Sequence, residues 1–371
     1  PVVANPTGPR GGVAAPGPDV GRWAAATLRG ESLLLMARDQ THDATVIVES
    51  DLNGNATAPA TLEEEDGSGL GGSLATLSTG EVIAAWFVAQ ETGAFRLALA
   101  SLPAGSDARS PSAWTRSTLG IRSGIAPKAA GCGVPCPTLE ACVSGDLGTE
   151  CASPDLVAAC DPGCDRDGLC AGSVCHALVR RAGGAPGVDA PGPETAMAPQ
   201  GGDQPLLVAY DPRVGGIDLW RRDGGGAWSA QRLDGGAGAN AGMAPAIAAS
   251  GAKIAIVYEA DAPHTIRLMT GVTPETLIAI PLDAREGRDP AVAVDPDGHV
   301  VVVFGGPEGQ GLVMTSDKSG WTSTTIDATP NVGRANALVL DGATVRAFTL
   351  RDSVTARGIA FAVHEVTVPF P

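Results

Sequence analysis

Asp289-Pro-Ala-Val-Ala-Val-Asp-Pro-Asp-Gly-His-Val-Val-Val-Val-Phe304 reads as two strands and the turn between them. The runs Ala291–Val294 and Val300–Phe304 are rich in β-branched residues, which are stiff about χ1 and favour extended backbone. Asp-Pro-Asp-Gly between them supplies a fixed φ at proline and free access to positive φ at glycine, so the pair forms a β-hairpin. A short apolar run ending in a large side chain recurs elsewhere, at Leu33–Met36, Val82–Trp86, Leu206–Tyr210, Ile254–Tyr258 and Val345–Phe348. Each follows a glycine turn (Gly30, Gly80, Gly202, Gly251, Gly342), as Val300–Phe304 follows Gly298.

A third run comes after each large residue, as in Ala44–Val48, Phe95–Ala100, Ile217–Trp220, Ile266–Met269, Gly311–Thr315 and Gly358–Val363. A fourth starts on tryptophan in three repeats, at Trp114, Trp228 and Trp321. Four short strands per unit, repeated six times, predict an all-β, six-bladed β-propeller. One such blade has two apolar faces and cannot hide them alone; stacking against neighbours does. The last repeat looks incomplete after His364, so Val2-Val3 is expected to lend it an outer strand.

Within the repeat, Asp289–Phe304 with Gly311–Asp317 and Gly320–Thr322 resembles the sialidase-like, Asp-box type of propeller repeat. Thr315, Asp317 and Trp321 are in place, although the glycine and tryptophan are offset from that pattern. The resemblance implies architecture. It would imply a glycosidase only with an arginine cluster, a tyrosine activated by glutamate and an acidic proton donor. Tyr258-Glu259 with Arg38, Arg213 and Arg351 are the residues to examine. Tyr258 and Tyr210, however, occupy the repeat position held elsewhere by Met36, Trp86, Phe304 and Phe348, which reads as packing.

The 371 residues carry 41 acidic against 25 basic side chains, a net charge of -16 that disfavours nucleic acid and anionic lipid surfaces. No apolar run is long enough to span a bilayer as a helix. Residues 1–19 are Pro/Gly-rich and read as a processed N-terminus or tether, with an upstream lipid anchor left open.

All eight cysteines, Cys132, Cys136, Cys142, Cys151, Cys160, Cys164, Cys170 and Cys175, fall inside a segment spanning 120–193 that interrupts the repeat between blades 1–2 (20–119) and blades 3–6 (194–371). Their spacing is duplicated, which predicts two disulfide-bonded modules in an oxidising, extracytoplasmic setting, with the pairing open. Zinc would favour C-x2-C where this chain has C-x3-C. Calcium has three carboxylates to work with, Asp161, Asp165 and Asp167, but no glutamate at the twelfth loop position.

Loops joining second to third strands share one end of a propeller with the connections between blades. That end gathers Arg38, Asp39, Asp211, Arg213, Glu259, His264, Arg351 and Asp352 as the candidate ligand face. The run Glu63-Glu64-Glu65-Asp66 reads as a solvated loop. The histidines show no metal-binding spacing, and no G-x-S-x-G or phosphate-loop signature occurs. The expected function is therefore non-enzymatic: a secreted or surface propeller binding a protein or glycan, or serving as a subunit of a surface assembly, without a cofactor. A divergent sialidase-like hydrolase and a calcium-stabilised adhesion module are the alternatives.

Overall fold

The computed structural model describes residues 20–39, 41–65, 67–89, 95–122, 141–145, 148–152, 168–171, 174–177, 194–212, 215–235, 241–260, 265–280, 282, 287–306, 311–317, 320–328, 332–341, 344–353 and 358–367. Strands follow one another almost without interruption. The first sheet comprises β1 (Val20–Arg29), β2 (Ser32–Asp39), β3 (Ala44–Asp51) and β4 (Ala60–Glu64), and the second β5 (Leu70–Thr76), β6 (Val82–Ala89), β7 (Phe95–Leu102) and β8 (Thr115–Arg122). Two small hairpins intervene, β9 (Ala141–Gly145) with β10 (Gly148–Ala152) and β11 (Gly168–Ala171) with β12 (Val174–Ala177). The third sheet is β13 (Glu194–Gln200), β14 (Gln204–Asp211), β15 (Gly216–Arg222) and β16 (Trp228–Gly235). The fourth is β17 (Ala241–Ser250), β18 (Lys253–Ala260), β19 (Thr265–Gly271) and β20 (Ile278–Ile280). The fifth is β21 (Arg288–Val294), β22 (Val300–Gly305), β23 (Gly311–Asp317) and β24 (Gly320–Asp327). The last has three strands among the described residues, β25 (Val332–Asp341), β26 (Thr344–Ser353) and β27 (Gly358–Thr367).

Every one of the large sheets is an antiparallel meander in strict chain order. Val2 and Val3, expected to complete the last one, lie outside the described residues. Fourth strands begin within a residue of the tryptophans that mark them, at Thr115, Trp228 and Gly320.

Residues 1–122, 193–207 and 221–229 make one compact unit; residues 123–192, 208–220 and 230–371 make another. Within the first unit β5 lies beside both β1 and β13, and within the second β21 lies beside β17 and β25. First strands thus neighbour first strands, as inner strands do in a propeller. Side chains tie them: Thr27 Oγ1 donates to Thr76 Oγ1 at 3.1 Å, Thr195 Oγ1 to the Gly71 carbonyl at 2.5 Å, and Asn336 Nδ2 to the Asp289 carbonyl at 2.7 Å.

The quoted hairpin explains why its second strand is apolar throughout. Val300, Val302 and Phe304 pack with Ala255, Val257, Ile266 and Leu268 of the fourth sheet. Val301 and Val303 face the other way, onto Val345 and Ala347 of the last sheet. Both faces are covered, so no alternate position can be polar. Each buried valine stabilises by about 2 kcal/mol. In the first unit Met36, Ile47 and Leu62 meet Trp86, Val82 and Val88 in the same manner. The large residue of each second strand is buried in five sheets (Met36, Trp86, Tyr210, Tyr258, Phe304), as expected of packing between sheets.

Two repeated devices shape these sheets. Asp51, Asp223 and Asp295 each begin a tight turn in which Oδ1 accepts two backbone N–H groups at 2.7 to 2.9 Å. The glycine three residues on (Gly54, Gly226, Gly298) sits at φ near +90°, a region closed to most side chains. A register shift then marks the start of the first strand in five of the large sheets, after Val20, Leu70, Ala241, Arg288 and Val332. Such bulges bend and twist a strand at one defined place.

Candidate functional site

The first unit holds a cleft of about 400 Å³ between the second and third sheets. Its floor is apolar: Ile83, Leu99 and Ala100 are fully buried on β6 and β7. Its rim is hydroxyl-rich, with Ser101 from β7 and exposed Thr115, Ser117 and Thr118 from β8. Arg222 at the end of β15, Gly226 in the turn and half-buried Trp228 at the start of β16 form the opposite wall. Glu81, just before β6, grips Arg222 in a bidentate pair of 2.7 and 2.8 Å. The Glu81 bonds hold the guanidinium pKa above its ordinary value even though partial burial opposes charge. Gly202 is close by in sequence terms to this wall's sheet: its carbonyl accepts from Ser78 N–H at 2.5 Å, joining the first-to-second-strand turns of the two sheets.

The chemistry offered is mixed. A half-open hollow of this size suits a small polar ligand. A planar cation fixed by a carboxylate leaves further N–H donors free to point outward, and the indole provides an apolar plane with one polar edge.

Among the described residues, none of those expected on the loop face lines this cleft. Arg38 is buried and donates to the Ser68 carbonyl at 2.6 Å and to Asp43. Asp39 accepts from the Thr41 and His42 backbone and from His42 Nδ1 at 2.7 Å. Burial opposes ionisation of Asp39, but the His42 bonds outweigh it and its carboxyl falls below the usual range, while His42 rises in turn. Asp211 is buried, and Glu259 accepts the Asp289 N–H. Arg351 and Asp352 lie near the end of β26, and of these two only the backbone is described; Arg213 and His264 lie outside the described residues. So do Asp161, Asp165, Asp167 and Cys132, Cys136, Cys160 and Cys164.

The acidic run is corrected by the structure. Far from being solvated throughout, Glu63 accepts from Trp86 Nε1 at 2.6 Å, from Arg96 at 3.1 Å and from Ser68 at 3.1 Å, and Arg96 also binds Glu65. Burial of the indole on β6 forces its N–H to find an acceptor, and the end of β4 supplies one.

A second constellation has the same plan. Asp234, at the end of β16, accepts from Tyr258 Oη at 2.7 Å and from Arg267 at 2.5 Å. Burial raises the Tyr258 phenol far above its usual range, and its hydrogen bond to the Asp234 carboxylate raises it further. Burial likewise opposes ionisation of Asp234, yet the bonds from Tyr258 and Arg267 win and lower its pKa. A phenol that is 2% exposed and firmly protonated cannot attack a sugar, so the tyrosine-nucleophile reading fails here. Asp295, Asp297 and His299 bring ligand-type atoms within 4.8 Å. Asp295 Oδ2 is taken by His299 Nδ1 at 2.7 Å and Oδ1 by the turn, which accounts for the first carboxylate as a turn-closing group.

No family model matches the chain, and no curated protein does. Many solved structures share its fold. A Dyadobacter fermentans protein of unknown function is 11% identical over 93% of this chain and 94% of its own, with a TM-score of 0.50. The fucose-specific lectin of Aleuria aurantia is 10% identical over 93% and 94%, at 0.45. A thermostable family-43 glycoside hydrolase is 11% identical over 84% and 94%, at 0.39. At such identities the likeness concerns fold alone; antiparallel meanders whose first strands lie side by side within each unit agree with a β-propeller. The narrower resemblance to sialidase-like Asp-box repeats is not upheld. In β23–β24 Asp317 stands opposite Gly320 and Ser316 opposite Trp321, so both signature residues belong to ladder rungs beside the turn.

Trp228, Arg222 and Glu81 were not singled out as functional by sequence. Trp228 was visible only as a strand marker equivalent to Trp114 and Trp321. Trp114 is buried and donates to the Ala108 carbonyl at 3.0 Å, and Trp321 packs on the fifth sheet's core. What sets Trp228 apart is its neighbourhood, Arg221-Arg222-Asp-Gly-Gly-Gly-Ala227, which puts a cation and a small-residue turn beside it.

Proposed function

We propose that this chain is a non-catalytic saccharide-binding propeller whose ligand occupies the cleft between Ser101, Thr115, Ser117, Arg222 and Trp228. The observation that carries the reading is the wall itself: an indole beside a guanidinium that is fixed in two places by Glu81. Sugars present an apolar C–H face and a fringe of hydroxyls, and the two halves of this wall complement those two halves. The lectin activity of some structural neighbours agrees in kind with this reading. Arg38, Asp39 and Glu259 are assigned to holding loops and sheets, not to contacting ligand. The clustered cysteines favour an extracytoplasmic setting.

Hydrolysis is less well supported. A glycosidase needs two carboxyl groups about 5 to 10 Å apart across the scissile bond. Among the described residues no carboxylate lines the cleft, and both oxygens of Glu81 beside it are engaged by Arg222. Screening the wild-type protein and Arg222→Ala on a glycan array, with released-sugar detection alongside, tests both readings. Binding of defined glycans by wild type, lost in Arg222→Ala without sugar release, is expected. Turnover of a bound glycan, or no glycan retained by wild type, would contradict the proposal.

A further inference from the structure

The two hairpins inside the cysteine-rich segment give a means of choosing among its pairings. In the first, two residues separate β9 from β10, and the register runs Gly145–Gly148, Ser144–Thr149, Val143–Glu150 and Cys142–Cys151. In the second, two residues separate β11 from β12, and the register runs Ala171–Val174, then Cys170–Cys175. Cysteine therefore faces cysteine across the ladder in both.

The rung at which they face each other matters. Opposed residues in an antiparallel ladder alternate between hydrogen-bonded pairs and non-hydrogen-bonded pairs, the latter with Cα atoms closer, at about 4.5 Å. The residues that flank a two-residue loop form a hydrogen-bonded pair. Counting outward, Cys170–Cys175 is the second rung of its hairpin and Cys142–Cys151 the fourth of its own, so both fall on non-hydrogen-bonded rungs. Such rungs lie inside the window of roughly 4.4 to 6.8 Å between Cα atoms that a disulfide spans. The same ordinal cysteines, third and fourth of each duplicated series, are matched in the two hairpins.

We propose that Cys142 is bonded to Cys151 and Cys170 to Cys175, each a cross-strand disulfide stapling its own hairpin. A two-stranded hairpin with strands of four or five residues is marginal in water, and a covalent cross-link supplies what so small an apolar surface cannot. Formation needs an external disulfide, such as glutathione disulfide. One cysteine thiolate attacks it and expels one thiol; the second thiolate then displaces the other. One S–S bond forms in the protein while one breaks in the oxidant, and two electrons and two protons leave as two glutathione thiols. Four cysteines, Cys132, Cys136, Cys160 and Cys164, remain, with three pairings open to them.

The test uses the full chain equilibrated in a glutathione redox buffer, blocked with iodoacetamide and cut without reduction by proteases specific for Glu and Asp. Cleavage after Glu140 and before Asp146 releases Ala141–Gly145, and cleavage after Glu150 and before Asp155 releases Cys151–Pro154. Mass spectrometry should find these two joined. The fragment beginning at Asp167 carries only Cys170 and Cys175, and should be two hydrogens lighter than its dithiol form and attached to nothing else. Alkylation of any of the four, as free thiols or thiolates released from a metal would show, overturns the assignment. So does a link from any of them to Cys132, Cys136, Cys160 or Cys164.

Discussion

Glu63 in the first unit and Asp234 in the second are versions of one arrangement with one part exchanged. Each carboxylate ends the fourth strand of a sheet; each accepts from a ring donor on a second strand and from an arginine on a third. In the first the ring donor is the indole of Trp86, in the second the phenol of Tyr258. Seen alone, Tyr258–Asp234–Arg267 looks like an activated nucleophile beside a base and a cation. Its counterpart contains a ring that cannot ionise in that range or attack anything, so what the two share is the clamping of one sheet to the next. Repetition within a chain thereby separates structural chemistry from catalytic chemistry.

The comparison can be broken at its most buried member first. Glu63→Ala strands the Trp86 N–H and leaves the Arg96 guanidinium with only its more exposed partner Glu65, and should cost about 3 kcal/mol in urea unfolding. Asp234→Ala should cost about 2 kcal/mol, because Arg267 is 42% exposed and water can replace its partner. A larger loss at Asp234 than at Glu63 would show that the two clamps are not equivalent. Tyr258→Phe removes one hydrogen bond but no packing and should cost about 1 kcal/mol, with saccharide binding unchanged. Loss of binding there would return the phenol to a functional role.

Acid sharpens the same contrast. The folded-state pKa of Asp234 lies below its unfolded value, so its contribution is fully present above the ordinary carboxylate range. It is lost as pH falls through the folded value, below 3.8. Chemical denaturation across that range should show stability falling towards low pH, and the fall should be shallower in Asp234→Asn. The smallest effect is expected at a turn. Gly298→Ala, at φ +94° with the flexible end of Lys253 3.3 Å from the added Cβ, should lose about 1 kcal/mol by thermal unfolding, mostly from backbone strain.

Much of the architecture was legible because packing imposes it on composition. Val300–Phe304 is apolar at every position since both of its faces are covered, and Gly298 sits where the turn demands positive φ. The bulge opening five of the first strands was also written in the chain, in Val20-Gly-Arg-Trp-Ala-Ala and Val332-Gly-Arg-Ala-Asn-Ala, whose registers shift at matching positions. It escapes notice because a bulge needs only a permissive residue and leaves no strong pattern of polarity. The cleft was less legible still. Arg222 and Glu81 are 141 positions apart, and nothing local to either reveals that their sheets adjoin. Glu63 misleads for the same reason, since its partners Trp86 and Arg96 belong to the following sheet.

Calorimetric titration of a glycan retained on the array, into wild type and into Trp228→Ala, tests the binding account most directly. Trp228 is only half-buried, so the variant should fold with an unchanged melting temperature while its affinity drops at least about tenfold, the loss of one stacked aromatic contact. Equal affinity in the two proteins would contradict saccharide recognition at this cleft.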